Sequence, residues 1–153
     1  NTRWARTGLK HTNERNWMGT TRTKPLNETE IAYFAGYFDG EGCVNFNRHS
    51  LRVSINSCCP RSINRLDEAF GGRSSDGSYR DRPNARDYSR WVLHGEKALR
   101  FLHLIFPYSV EKRPQIKLAL TYYDAVDKDE KAEIRAQIAA LKKVNYYAKD
   151  NTN

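Results

Sequence analysis

The carboxylate of Glu41 stands next to last in the run 34–42 (FAGYFDGEG), which occurs once in the chain. The run reads as the end of a small-faced helix that stops at a glycine and presents Glu41 just past its C-terminus. Mg²⁺ takes oxygen ligands, usually one or two carboxylates completed by substrate phosphate and water. One acid is a poor site by itself. Ala32, Ala35, Gly36 and Asp39 share one side of the same helix, where small residues let two backbones approach closely. A mid-helix glycine costs roughly 1 kcal/mol relative to alanine, so a close contact explains Gly36 better than an incidental glycine in a core helix. A second copy of the helix on that side would bring a second Glu41 alongside the first. The pattern points to a two-fold symmetric, metal-dependent enzyme.

The elements that must position these groups follow from periodicity. Asn27 and Glu30 form an N-x-x-E capping box after Pro25, and the first helix runs through about Phe38 with Ile31, Phe34 and Phe38 toward the core. Two strands follow. In 43–49, Val44 and Phe46 alternate with Asn45, Asn47 and His49; in 51–56, Leu51, Val53 and Ile55 alternate with Arg52, Ser54 and Asn56. One face of this hairpin is apolar, and the other carries amides, hydroxyls and an arginine but no acid. Solvation accounts for the polar face of most half-buried sheets, whereas the absence of acids and the bidentate-capable side chains favour a surface that reads bases.

Pro60 opens a second helix, with Ile63, Leu66 and Phe70 inward and Gly71-Gly72 as its stop. Asp76-Gly77 signals a turn. Segments 78–82 (SYRDR) and 87–94 then form a second hairpin around Pro83-Asn84. Arg80 and Arg82 point the same way on one strand, and on the other Trp91 and Leu93 face inward and Arg90 outward. A third helix over 96–106 ends at Pro107, and a fourth runs from Pro114 to about Val126. Asp127 with Glu130 starts the last, with Ile134, Ile138 and Leu141 inward. The order αββαββα, followed by two C-terminal helices, implies an α+β fold. Its curved four-stranded antiparallel sheet would carry helices on one face and leave the other for a ligand.

At 153 residues the chain fits one domain, 27–153, preceded by a basic arm, 1–26. In that arm Arg3, Arg6, Lys10, Arg15, Arg22 and Lys24 oppose the single acid Glu14 and supply most of the formal charge of +8. It is either a disordered tail or an arm that orders on a phosphate backbone, as Trp4, Trp17 and Met18 favour. The charge implies a polyanionic partner. A membrane is the weaker partner: no apolar run approaches the roughly 18 residues needed to span, no h-region marks a signal peptide, and the basic residues are not gathered on one amphipathic helix. Cys43, Cys58 and Cys59 fit neither a disulfide framework nor a zinc knuckle, so reduced thiols and an intracellular setting (organellar, bacterial or phage-encoded alike) are expected. His11, His49, His94 and His103 show no ligand spacing.

FAGYFDGEG resembles the signature of the LAGLIDADG homing endonucleases. SYRDR with the later Asp87-Tyr88, and the P-x-x-x-x-K-R-P-Q run over 107–115, resemble segments of the single-motif members, so the likeness spans about 27–145. It implies a homodimer joined through the motif helices at Ala32, Ala35, Gly36 and Asp39. Each sheet would lie in the DNA major groove of one half of a long pseudo-palindromic site. A metal-dependent double-strand break would then promote copying of the host intron. By position, Glu41 matches the metal-binding acid, with the Gly40 carbonyl beside it, and the cation would be Mg²⁺ or another divalent ion such as Mn²⁺. Asp39 matches an acid with a structural role at the helix end. Ser57, Arg61 and Lys112 fall where peripheral catalytic residues organise solvent; Ser57 stands where a longer glutamine is common.

Base contacts are expected from Asn45, Asn47, His49, Arg52, Ser54 and Asn56 on the first hairpin, and from Ser78, Arg80, Arg82 and Arg90 on the second. Arginine suits guanine and asparagine suits adenine; Asp87 more plausibly orients a neighbouring arginine. Two readings compete with an active nuclease. One is a cleavage-deficient relative acting as an RNA maturase or DNA-binding regulator, and the other is an unrelated basic module. The presence of Glu41, Arg61 and Lys112 together favours the enzyme.

Overall fold

The computed structural model describes residues 25–78, 82 and 84–144. The arm expected over 1–26 therefore lies outside them except for Pro25 and Leu26. Leu26 packs against the hydrophobic core and so belongs with the domain.

The first helix, α1 (Glu28–Glu41), begins as its sequence dictates. Asn27 Oδ1 accepts from the Glu30 N–H at 2.9 Å, and Glu30 Oε2 accepts from the Asn27 N–H at 3.1 Å. Phe34, Ala35 and Phe38 are buried, whereas Ile31 is only half-buried. The helix is longer than expected: Glu41 is its last residue, not the first beyond it, and Gly42 is the cap. A side chain at Gly42 is impossible without rearrangement, because its Cβ would sit 2.3 Å from the Phe38 ring.

The chain then forms β1 (Gly42–Asn47) and β2 (Ser50–Ser57), joined through Arg48 and His49, with Arg48 at φ 56°. Next come α2 (Pro60–Phe70), β3 (Arg73–Gly77), β4 (Tyr88–His94), α3 (Gly95–Ile105), α4 (Arg113–Tyr122) and α5 (Lys128–Leu141). The four strands make one antiparallel sheet in the order β1-β2-β4-β3. The αββαββα order with two further helices is the expected one.

The second hairpin is a correction. Its first strand is Arg73–Gly77, so Asp76-Gly77 ends a strand and Ser78 and Arg82 lie outside any strand. β3 is an edge strand with exposed or half-buried side chains throughout, held by backbone pairing to β4. It therefore leaves no apolar alternation in the sequence to mark it.

Pleating separates the faces. Val44, Leu51, Val53, Ile55, Trp91 and Leu93 point into a core shared with α1, α2 and α3. Trp91 is its centre: its ring lies 5.3 Å from Phe101 and 6.2 Å from Phe70, and its Nε1 donates to the Gly71 carbonyl at 2.7 Å. That bond ties β4 to the glycine stop of α2. The expected inward placement of Trp91 and Leu93, with Arg90 outward, is the observed one. At the other edge α4 and α5 pack on β1, with Tyr122 against Phe46 at 4.4 Å. Ile134 and Ile138 are buried as expected and Leu141 is half-buried. The cap of α5 differs in detail, for Asp127 accepts from the Asp129 N–H at 3.3 Å.

Candidate active site and nucleic-acid interface

Glu41 is exposed at the C-terminal end of α1, where the last carbonyls of a helix lack intrahelical partners. Two residues earlier, Asp39 is 9% exposed and points back into its own chain. Its Oδ2 accepts from the Val110 N–H at 2.6 Å and the Glu111 N–H at 3.3 Å, and its Oδ1 from the Lys112 N–H at 3.1 Å. The Lys112 ammonium in turn donates to the Asp39 carbonyl. One carboxylate thus gathers three consecutive amides of the α3–α4 connection and sets Lys112 on the last turn of α1. A cation there also faces the negative end of the helix dipole.

The side of α1 expected to pack on a copy divides in two. Ala35 is fully buried in its own core, and Asp39 is occupied by residues 110–112, so neither presents its side chain to a partner. Ala32, Gly36 and Gly40 are exposed. A Cβ at Gly36 or Gly40 would meet no described residue within 4 Å, so no contact among the described residues requires glycine at either position.

Ser57 ends β2, and its Oγ accepts from the Cys59 N–H at 3.0 Å, shaping the turn into α2. Arg61 is exposed in the first turn of that helix. Both therefore belong to the β2–α2 junction. There the Cys59 thiol is pulled down to about 7, first by the Ser62 backbone N–H and then by the Ser62 and Arg61 side chains.

The sheet face away from the core holds most of the expected base-contacting residues. Register aligns Asn45 with Arg52, Asn47 with Ser50, and Asn56 with Arg90, while Ser54 sits opposite Val92. Asn45 Oδ1 and Arg52 Nε are enclosed there without a hydrogen-bond partner among the described residues. Three expectations change. His49 turns toward the helices, where its Nδ1 lies 3.0 Å from Arg135 and its carbonyl accepts from Tyr122 Oη at 3.0 Å. Ser78 and Arg82 are exposed but in a connection, and Arg80 lies outside the described residues. In their place the edge strand contributes Arg73 and Ser75, aligned with Val92 and Arg90, and His94 aligns with Arg52. The arginine in the polar run 73–77 was the available signal for β3. It carried no weight without apolar neighbours.

Among the described residues no three His, Cys, Asp or Glu side chains gather as a metal site. At the end of α1 the chain offers the exposed carboxylate of Glu41 and helix-end carbonyls such as that of Gly40. This all-oxygen set suits Mg²⁺, which takes one or two carboxylates and completes its shell with phosphate and water. No described helix is long and apolar enough to cross a membrane.

No family model matches the chain. No curated protein matches it either. Solved structures do. The homing endonuclease I-CvuI in complex with its target in the presence of Ca superposes with a TM-score of 0.60 at 17% identity, covering 77% of this chain and 85% of that one. The same enzyme with the I-CreI target and Mg, its DNA not cleaved, gives 0.55 at 16% identity over the same shares. The archaeal intron-encoded homing endonuclease I-Vdi141I with DNA gives 0.56 at 14% identity, over 80% of this chain and 89% of that one. The chain has the fold of the LAGLIDADG homing endonucleases, as its sequence resemblance implied.

Proposed function

We propose that the chain is a site-specific DNA endonuclease that binds a pseudo-palindromic duplex as a homodimer and breaks both strands with Mg²⁺ or Mn²⁺. The observation that carries this reading is the Asp39 junction, which brings Lys112 from 73 residues away onto the helix end that presents Glu41. A lysine ammonium can cap the last carbonyls of any helix, but this one sits on the helix end that also exposes Glu41. A phosphate-cleaving site does need a cation beside its metal-binding acid. The DNA-bound relatives of the same fold support the substrate.

In this reading the exposed Ala32, Gly36 and Gly40 stripe packs on a second copy, and two Glu41 carboxylates with Gly40 carbonyls hold the divalent ions. When bound, the cation supplies Lewis-acid stabilisation of charge on the scissile phosphate and activates water. The chain's own groups do the rest. Lys112 spends one of its three N–H donors on Asp39 and keeps the others for a phosphate oxygen or the attacking water. Arg61, at the positive end of α2, adds anion affinity. The Ser57 hydroxyl still has its proton to donate after accepting from Cys59. Hydrolysis breaks one P–O bond per strand, with water adding across it.

The test is cleavage of a plasmid library carrying randomised duplex inserts. Linear product that requires Mg²⁺ and disappears on chelation supports the nuclease. Tight, selective binding without cutting under any divalent ion would move the chain to the cleavage-deficient class.

A further inference from the structure

On the free sheet face, Arg90 of β4 and Asn56 of β2 are direct cross-strand partners. Arg90 Nε donates to Asn56 Oδ1 at 2.9 Å, and the guanidinium carbon lies 6.0 Å from the centre of the Tyr88 ring, two residues away on the same face. Arginine has only donors, so this bond fixes which end of the asparagine amide faces it. Asn56 has therefore committed one of the two lone pairs of its acceptor. The pairing that reads adenine needs both ends of the amide, one accepting from N6 and one donating to N7. Asn56 keeps its N–H donors and one lone pair, on an oxygen already held by Arg90, so its amide is oriented by the arginine before any base arrives.

Arg90 is left differently. Its Nε edge is engaged and its guanidinium lies over the Tyr88 ring. Its two terminal nitrogens make no hydrogen bond to the described residues and form the two-pronged donor that matches O6 and N7 of guanine. A long side chain loses much of its freedom when it binds, and one already held at its root loses less.

We propose that Arg90 is the guanine-reading residue of each half-site and that Asn56 is its positioning residue, not an adenine reader, with Tyr88 as the platform beneath. The proposal rests on the DNA-binding reading above and adds to it which base is read, by which residue, and through which support.

The test is duplex selection from a randomised library in Ca²⁺, with thermal unfolding of each variant as a control for folding. Wild type should enrich a site with guanine at one symmetric position. Arg90→Lys should lose that preference, with discrimination falling on the order of ten-fold or more. Asn56→Ala should weaken the same position and no other, and Asn56→Asp, which can still accept from Nε, should restore it. A separate adenine preference that vanishes in Asn56→Ala while the guanine persists would overturn the proposal, as would an unchanged site in Arg90→Lys. A variant that unfolds early is replaced by Tyr88→Leu, which should weaken the same guanine if the platform exists and leave it intact if not. Failure of the wild type to enrich any duplex would instead sink the DNA-binding reading beneath it.

Discussion

Asp39 shows how one residue can join two parts of a site. The sequence located it in the motif and assigned it to the helix end, but its partners at 110–112 lie too far along the chain for any local pattern to reveal. Replacing it with alanine strands three amides and releases Lys112. Asp39→Ala should lower stability by roughly 3 kcal/mol in urea unfolding and should depress cleavage beyond what lost folding explains. Full cleavage by the fraction that remains folded would show that Lys112 needs no anchor. The exposed position of Glu41 at the helix end was legible from type and place alone. His49 was not, because the turn that redirects it toward Arg135 depends on a left-handed Arg48 that nothing in the sequence announces.

Among the elements, those with an apolar period were legible and the one without was missed. The helices, β2 and β4 carry buried residues at regular spacing and β1 buries Val44; β3 carries none, and its pairing resides in backbone groups and one side-chain bond from Ser89 Oγ to Asp76 Oδ1. The loop from Gly71 was nonetheless held in place by a core residue. Trp91→Phe keeps the aromatic packing but leaves the Gly71 carbonyl without its donor, and should cost roughly 1–3 kcal/mol in thermal or urea unfolding. At the start of α2, the lowered Cys59 thiol predicts a chemical signature. Alkylation by iodoacetamide should rise through about pH 7, as the thiolate fraction grows, and peptide mass spectrometry should find Cys59 modified before its exposed neighbour Cys58. Equal labelling of the two would remove any special character from that junction.

For the whole molecule, the account depends on a second copy. The sequence suggested a small-faced helix; the fold leaves Ala32 and Gly36 of that face exposed, with Gly40 beside them, by burying Ala35 and engaging Asp39 inside the chain. Gly36→Leu then has opposite effects on two measurements. The isolated fold should gain by roughly 1 kcal/mol from helix propensity, since no described atom crowds the position, while sedimentation should show the dimer weakened. A variant that still dimerises as wild type would place the interface elsewhere. The central claim is that Glu41, contributed once by each of two chains, makes the strand-cutting site. It is tested most directly on a selected duplex, with binding measured in Ca²⁺ and cleavage in Mg²⁺ for wild type and Glu41→Gln. The account predicts similar binding by both proteins and double-strand breaks from the wild type alone. Undiminished cutting by Glu41→Gln would contradict it.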